Sequence, residues 1–392
     1  MKLGHRLRRI HSISINSLKQ SFNIFYYLFW ILCDFSKFDP KPKKINNLLV
    51  VSLGALGDSY NLLGFLNQIP EKYPKKKIYY LTSEKNKSFI KNPKIKRINL
   101  KGAKRLIDER KIDSALLISN PFGLFDREMY KKFRKIPYVV GVNDFPILPL
   151  IREIIPKKKF FLKINYLIFQ KPHYKDNWPR AFKKLGFDLE GENLQFYFTK
   201  AGEGEAKQYI AKNKKYFPKK VIFLHPGSGT LLRALGKNKI PSHVWPNEKW
   251  AKLADLLILK NKTKIIFTGS EGESSLVEEI RSKMQNQSQS LNTSGKLSIE
   301  ALAYLMKVTG KFLVSIDTGM AHIGALCGIF VIDLFGPDSP KIASPLSKRK
   351  KIIFKENCPC TTCRKYFCPE KNPICMKSIT LKEIFEATNN LK

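Results

Sequence analysis

Short apolar runs punctuate the chain from Asn46 onward. Leu48–Leu53, Ile78–Leu81, Ser114–Ile118 and Tyr138–Val142 are separated by polar, helical or loop segments. Such alternation predicts a parallel sheet wrapped by helices. Tyr166–Leu185 reads as partly helical, with Trp178, Phe182 and Leu185 at helical spacing, and the polar stretch Gly186–Lys200 reads as a linker. The alternation then restarts with Val221–Leu224, Lys264–Thr268, Phe312–Ile316 and Phe330–Leu334. The pattern predicts two similar α/β domains, 45–200 and 201–392, with a ligand cleft between them at the carboxyl ends of their strands.

Residues 1–44 differ. Arg6, Arg8, Arg9 and Lys19 precede the aromatic run Phe22–Cys33, which includes Phe25, Tyr26, Tyr27, Phe29 and Trp30. The run is shorter than the roughly 20 residues a spanning helix needs. It is expected to lie in a membrane interface, aromatic face down, with the basic residues meeting anionic head groups; a packing helix is the alternative. No small-residue cleavage site follows, and Leu32 precedes Cys33 where a lipobox wants a small residue, which argues against a signal peptide.

Three strand ends carry candidate chemistry. In 314–340, VSIDTGMAHIGALCGIFVIDLFGPDSP, a strand runs into Asp317-Thr318-Gly319 and a helix opens with Gly319, Met320, Ala321 and His322 in its first turn. Backbone N–H groups at such a helix start hold phosphate without a basic side chain. The next strand ends in Gly336-Pro337-Asp338, so two turns face one crevice. The first strand ends in Ser52-Leu53-Gly54-Ala55-Leu56-Gly57-Asp58, where Gly54 and Gly57 allow close backbone approach. Asp58 is there either a site residue or an N-cap. The second domain opens with Leu224-His225-Pro226-Gly227-Ser228-Gly229-Thr230, a hydroxyl-rich turn fit for a phosphate, and later Phe267-Thr268-Gly269-Ser270-Glu271-Gly272-Glu273 places carboxylates after a strand end. A Glu there accepts hydrogen bonds from a ribose, or serves as a helix N-terminal charge.

Composition changes this picture little. With 392 residues, 43% of them hydrophobic, the chain can bury two cores. The net charge of +39 comes mostly from lysine, about four to one over arginine, spread along the whole length. It fits a solvated face or attraction to anionic partners. No RNP-like, helix-turn-helix or finger pattern accompanies it, so no nucleic-acid partner is expected. Cys358, Cys360, Cys363, Cys368 and Cys375 crowd together near the C-terminus. Their spacings admit a metal, a disulfide knot or a reduced cysteine-rich loop, but no His lies nearby and the pattern is not a paired CxxC ribbon; no metal is assigned to them.

The ordered set SLGALGD, LHPGSG, WPNEKWAKLADLL, FTGSEGE, SGKLSIEALAYLM, VSIDTGMAH and LFGPDSP resembles glycosyltransferase family 9, the bacterial heptosyltransferases of lipopolysaccharide core synthesis. The likeness covers about residues 46–392 and includes the late Cys358-Pro359-Cys360 and Cys375-Met376. It implies a GT-B fold of two Rossmann-like domains and inverting, metal-independent transfer of heptose from ADP-heptose, with no cofactor. Its acceptor would be an anionic, lipid-linked saccharide such as the lipopolysaccharide core, and its place the cytoplasmic face of the inner membrane. By the same likeness Asp58 is the general base, Asp317, Thr318, Gly319 and His322 hold the donor, Gly227 and Ser228 form the turn opposite, and Glu273 binds the ribose, with Glu271 near enough to compete. The chain departs from the pattern at Ser52, where many members carry a basic residue, and at Gly54 and Ala55, where some carry Ser. His243 stands before Trp245-Pro246 where members carry Lys or Arg; it is assigned to the donor site, with Arg233, Lys237 or Lys239 as other cations. A second reading therefore keeps the fold and drops the chemistry, giving a membrane-surface saccharide-binding or scaffold protein.

Overall fold

A computed structural model describes residues 45–52, 56–82, 91–118, 127–133, 135–142, 166–168, 174–191, 194–229, 240–358, 363, 365, 367–368 and 373–389. The expected interfacial helix within 1–44, Gly54, Cys360 and the candidate cations Arg233, Lys237 and Lys239 lie outside these residues. Among the described residues no helix is long and apolar enough to cross a membrane.

Among the described residues, twelve strands form two sheets of six. The first contains β1 (Asn47–Ser52), β2 (Lys77–Leu81), β3 (Ile95–Ile98), β4 (Ser114–Ile118), β5 (Tyr138–Val142) and β6 (Tyr166–Ile168), in the order β3-β2-β1-β4-β5-β6. The second contains β7 (Val221–His225), β8 (Ile265–Phe267), β9 (Ser290–Asn292), β10 (Gly310–Ile316), β11 (Phe330–Phe335) and β12 (Lys350–Phe354), in the order β12-β11-β10-β7-β8-β9. All neighbours are parallel. Read from the other edge, the second order repeats the first, so each sheet is a doubly wound Rossmann sheet whose order reverses between its first and fourth strands.

Burial on both faces explains why the inner strands read as unbroken apolar runs. In β1, Leu49 and Val51 join Ala103, Leu106, Met129 and Phe133 on one face. Leu48 and Val50 face the other way, toward Phe65, Trp178 and Phe182. That second core continues into the other half through Phe223, Leu313, Val331 and Leu326. The far face of the second sheet packs Ile222, Leu224, Val314 and Leu334 on Trp245, Trp250 and Leu257.

The segment read as partly helical from Tyr166 divides into the short strand β6 and a helix, Tyr174–Lys184. Trp178, Phe182 and Leu185 are buried there, as their spacing predicts. The expected linker ends at Thr199, whose side chain caps the Lys200–Lys212 helix.

Candidate active site

The helix after β1, Leu56–Lys72, and the helix after β10, Gly319–Leu326, meet between the two sheets. Gly64 makes the close approach possible: a Cβ there would stand 2.8 Å from Leu194 Cβ and 3.1 Å from Leu326 Cδ2. At the same seam Asn61 Nδ2 lies 3.0 Å from Nδ1 of His322, and both residues are buried. Asn61 follows Asp58 by one helical turn, so positions 58 and 61 share a face of the helix. Gly57 and Asp58 lie in its first turn, with their side chains outside the described residues.

Strands β7 and β10 are neighbours, with Ser315 opposite His225, so Pro226-Gly227-Ser228 and Asp317-Thr318-Gly319 leave the sheet side by side at its order reversal. This is where open α/β sheets take ligands. The Asp317 amide donates to Leu334 O at 3.1 Å, pinning the turn to the end of β11. Thr318 is extended, with φ −149° and ψ 171°, and its side chain does not cap the helix. Ser315 Oγ donates to Ile316 O at 2.7 Å, so at 3.2 Å it accepts from the Thr318 hydroxyl. The Thr318 side chain thus leaves the first helical N–H groups uncapped, the arrangement that suits an anion.

Glu273 sits beneath the Gly227 turn. Its Oε2 accepts from Ser270 N at 2.7 Å and Ser270 Oγ at 2.8 Å, closing a capping box. Through this oxygen the carboxylate serves as a helix-terminal charge. Its other oxygen lies against Gly227, where an added Cβ would clash with Cδ and Oε1. Glu273 is buried and the competing Glu271 is exposed. His225, also buried, hydrogen-bonds Thr268 through Nδ1 and has its pKa lowered, chiefly by burial and against the pull of the Glu273 charge.

His243 is joined to the third turn. Ser242 Oγ donates to Lys365 O and lies 3.0 Å from His243 Nδ1, while Nε2 lies 2.8 Å from Asp338 Oδ2. Against a carboxylate, Nε2 donates. His243 thus stands where the likeness wants Lys or Arg, tied by hydrogen bonds to Ser242 and Asp338. Among the described residues, one ligand atom each from His243, Asp317 and Asp338 fall within 4.8 Å of one another, the spacing of a metal group. In the observed arrangement Nε2 of His243 is engaged by Asp338. The loop is held by Trp245, whose Nε1 donates to Ile379 O at 3.1 Å and whose ring meets Trp250 edge-on at 5.1 Å.

Sequence reasoning did not single out Asn61, Ser242 or Asp333 for the site, and it left Asp338 as a turn residue only. Asp333 stands opposite Ser315 in β11, with 0% exposure and no hydrogen-bond partner for either oxygen among the described residues. Burial first, then the neighbouring Asp317 charge, pushes its carboxyl well above the usual range. The late Cys375-Met376 pair braces the site from below, since a Cβ on Gly336 would press on Met376 Sδ and Cγ. Cys358, Cys363 and Cys368 are half-buried, and Cys375 is buried.

Two Rossmann sheets whose order reversals meet across a helix–helix seam, with an anion-receptive turn on one wall, define a glycosyltransferase fold of the GT-B class. The profile of glycosyltransferase family 9 (heptosyltransferase) matches residues 160–374. The chain belongs to this family. It is 34% identical over 116 residues to lipooligosaccharide heptosyltransferase 2 of Haemophilus influenzae, a match covering 29% of this chain and 33% of that protein. The aligned part thus spans about a third of that curated relative. The fold is similar to the glycosyl transferase family 9 structure from Veillonella parvula, with TM-score 0.67, 18% identity, and 90% and 99% of the two chains covered. It is also similar to the Escherichia coli ADP-heptose LPS heptosyltransferase II, with TM-score 0.62, 17% identity, and 88% and 98% covered.

Proposed function

We propose that the chain is an inverting, metal-independent glycosyltransferase of lipopolysaccharide synthesis. In this reading it moves heptose from ADP-heptose to the lipopolysaccharide core or a similar lipid-linked, anionic saccharide, at the cytoplasmic surface of the inner membrane. The observation that carries it is the pairing of Gly227-Ser228 with Asp317-Thr318-Gly319 at the order reversal of the second sheet, next to the Asn61–His322 seam. The family and the E. coli relative named for ADP-heptose support the choice of donor.

In the proposed reaction the donor diphosphate docks on the first N–H groups of the Gly319–Leu326 helix, with His243 nearby. Ser228 contacts a phosphate from the facing turn, and Glu273 receives the ribose. Asp58 takes the proton from the acceptor hydroxyl as that oxygen attacks the anomeric carbon. A glycosidic C–O bond forms, the anomeric C–O bond to the diphosphate breaks, and ADP leaves with the electron pair. Fixed dipoles at the leaving phosphate favour this charge.

A thermal-shift screen of nucleotide sugars tests the reading, because a ligand of the native state raises its stability. ADP-heptose should raise the Tm, and ADP alone should do so less. A chain that responds to no nucleotide would favour the alternative, a saccharide-binding protein of the same fold.

A further inference from the structure

A cavity of about 750 Å3 opens at the far end of the Gly319–Leu326 helix. Eight helical residues span roughly 12 Å, so it is a separate place from the donor-facing turns at the helix start. Its lining comes chiefly from the strap from Leu194 to Phe198, the helix end at Leu326-Cys327-Gly328 and the stretch from Leu346 into β12, with Lys307 from the Ile299–Thr309 helix.

Its chemistry is two-sided. Phe196, Phe198, Leu326 and Leu346 supply an apolar floor. Lys307, Lys348, Arg349 and Lys350 supply four cations, and no Asp or Glu is among the described lining residues. Three of the cations are held in place. Lys307 Nζ stands 4.6 Å from the Phe198 ring centre, Arg349 Nη1 donates to Gly328 O at 2.7 Å, and Lys350 Nζ donates to Ser344 Oγ at 3.0 Å and Pro345 O at 2.6 Å. A fixed cationic rim over an aromatic floor suits a ligand with a phosphate at one end and an apolar body at the other. A free phosphate would leave the floor unused.

We propose that this cavity binds the head group of an anionic phospholipid together with the adjoining part of its hydrocarbon body. It would then be a second, folded membrane contact apart from residues 1–44. The inference rests on the reading that the chain works at a membrane surface.

The test is co-sedimentation of the full chain with vesicles of phosphatidylglycerol and phosphatidylcholine, against vesicles of phosphatidylcholine alone. Lys348→Glu with Arg349→Glu changes two exposed side chains of the rim; Lys96→Glu with Lys212→Glu makes the same change of net charge at exposed positions elsewhere. Reversing two head-group contacts should weaken binding to the anionic vesicles on the order of thirtyfold or more. The control pair should weaken it by about twofold or less, because distant charges are screened. Inorganic phosphate at matched ionic strength should not displace the protein. ADP binding by the rim variant, measured alongside, shows that it is folded. Equal vesicle binding by wild type and rim variant would overturn the cavity assignment, as would equal losses in both variant pairs or displacement by phosphate. Wild-type protein that ignores anionic vesicles altogether would instead overturn the membrane reading beneath it.

Discussion

Replacing Gly227 by alanine should disturb the donor wall through a single carboxylate. The new Cβ would point at Cδ and Oε1 of Glu273, closer than side chains approach one another in practice. Glu273 is buried, so it can move aside only by loosening its bonds to Ser270 N at 2.7 Å and Ser270 Oγ at 2.8 Å. Charge-assisted hydrogen bonds are worth about 1.5–3 kcal/mol each. Partial relaxation of the pair gives an expected loss of about 2–3 kcal/mol in unfolding free energy. Any part of that loss arising in the turn itself weakens ADP binding tenfold per roughly 1.4 kcal/mol. Urea unfolding and ADP calorimetry would read the two effects. Glu273→Ala alone removes both bonds to Ser270, at a cost of about 3–6 kcal/mol. In that background Gly227→Ala should cost only about 0.5 kcal/mol, giving a coupling of about 2 kcal/mol in the double-mutant cycle. Additive losses, or an undisturbed single variant, would refute the clash as the reason for glycine here.

Asp333→Asn should stabilise the protein increasingly as pH rises. The raised native pKa means the folded state holds a proton that the unfolded state has released, so wild-type stability falls with pH above the ordinary carboxyl value of 3.8. Melting curves from about pH 4 to about pH 8 should therefore show the gap between variant and wild type widening; a constant gap would contradict the burial argument. His225 acts on the other side: its lowered native pKa makes stability fall as pH drops below the ordinary value of 6.5, and His225→Gln should flatten that acid limb in the same melts. Asn61→Leu should remove the Asn61–His322 hydrogen bond across the seam, a loss of about 1–3 kcal/mol, measured by urea unfolding. Chelation by EDTA should leave sugar transfer unchanged if the proposed metal-independent reaction holds; a rate restored only by a divalent ion would show that His243, Asp317 and Asp338 take one.

Eight of the twelve described strands were legible in the sequence because they lie inside the sheets, are largely buried and read as mainly apolar runs. The other four, β3, β6, β9 and β12, lie toward the edges of the sheets. Ile95–Ile98 reads Ile-Lys-Arg-Ile, and Tyr166–Ile168 and Ser290–Asn292 have three residues each, too few to register a period. The turns of the site were legible for a local reason: Asp317 and Gly319 lie within three residues of the end of one apolar run, and Gly227 within three of the end of another. Partners chosen by the tertiary fold were not. Asn61 lies 261 positions from His322, and His243 lies 95 from Asp338. No spacing rule reaches that far. Asp333 was hidden differently, as one acid within the apolar run Phe330–Phe335 that composition alone assigns to the core.

The most direct test of the account is sugar transfer by Asp58→Asn, followed as labelled heptose moving from ADP-heptose to a lipid-linked saccharide. Loss of a general base lowers turnover by about a hundred- to ten-thousandfold, and ADP should bind the variant as it binds wild type. A variant that transfers heptose at the wild-type rate would contradict the assignment of Asp58, and a wild-type chain that transfers none would contradict the proposed reaction itself.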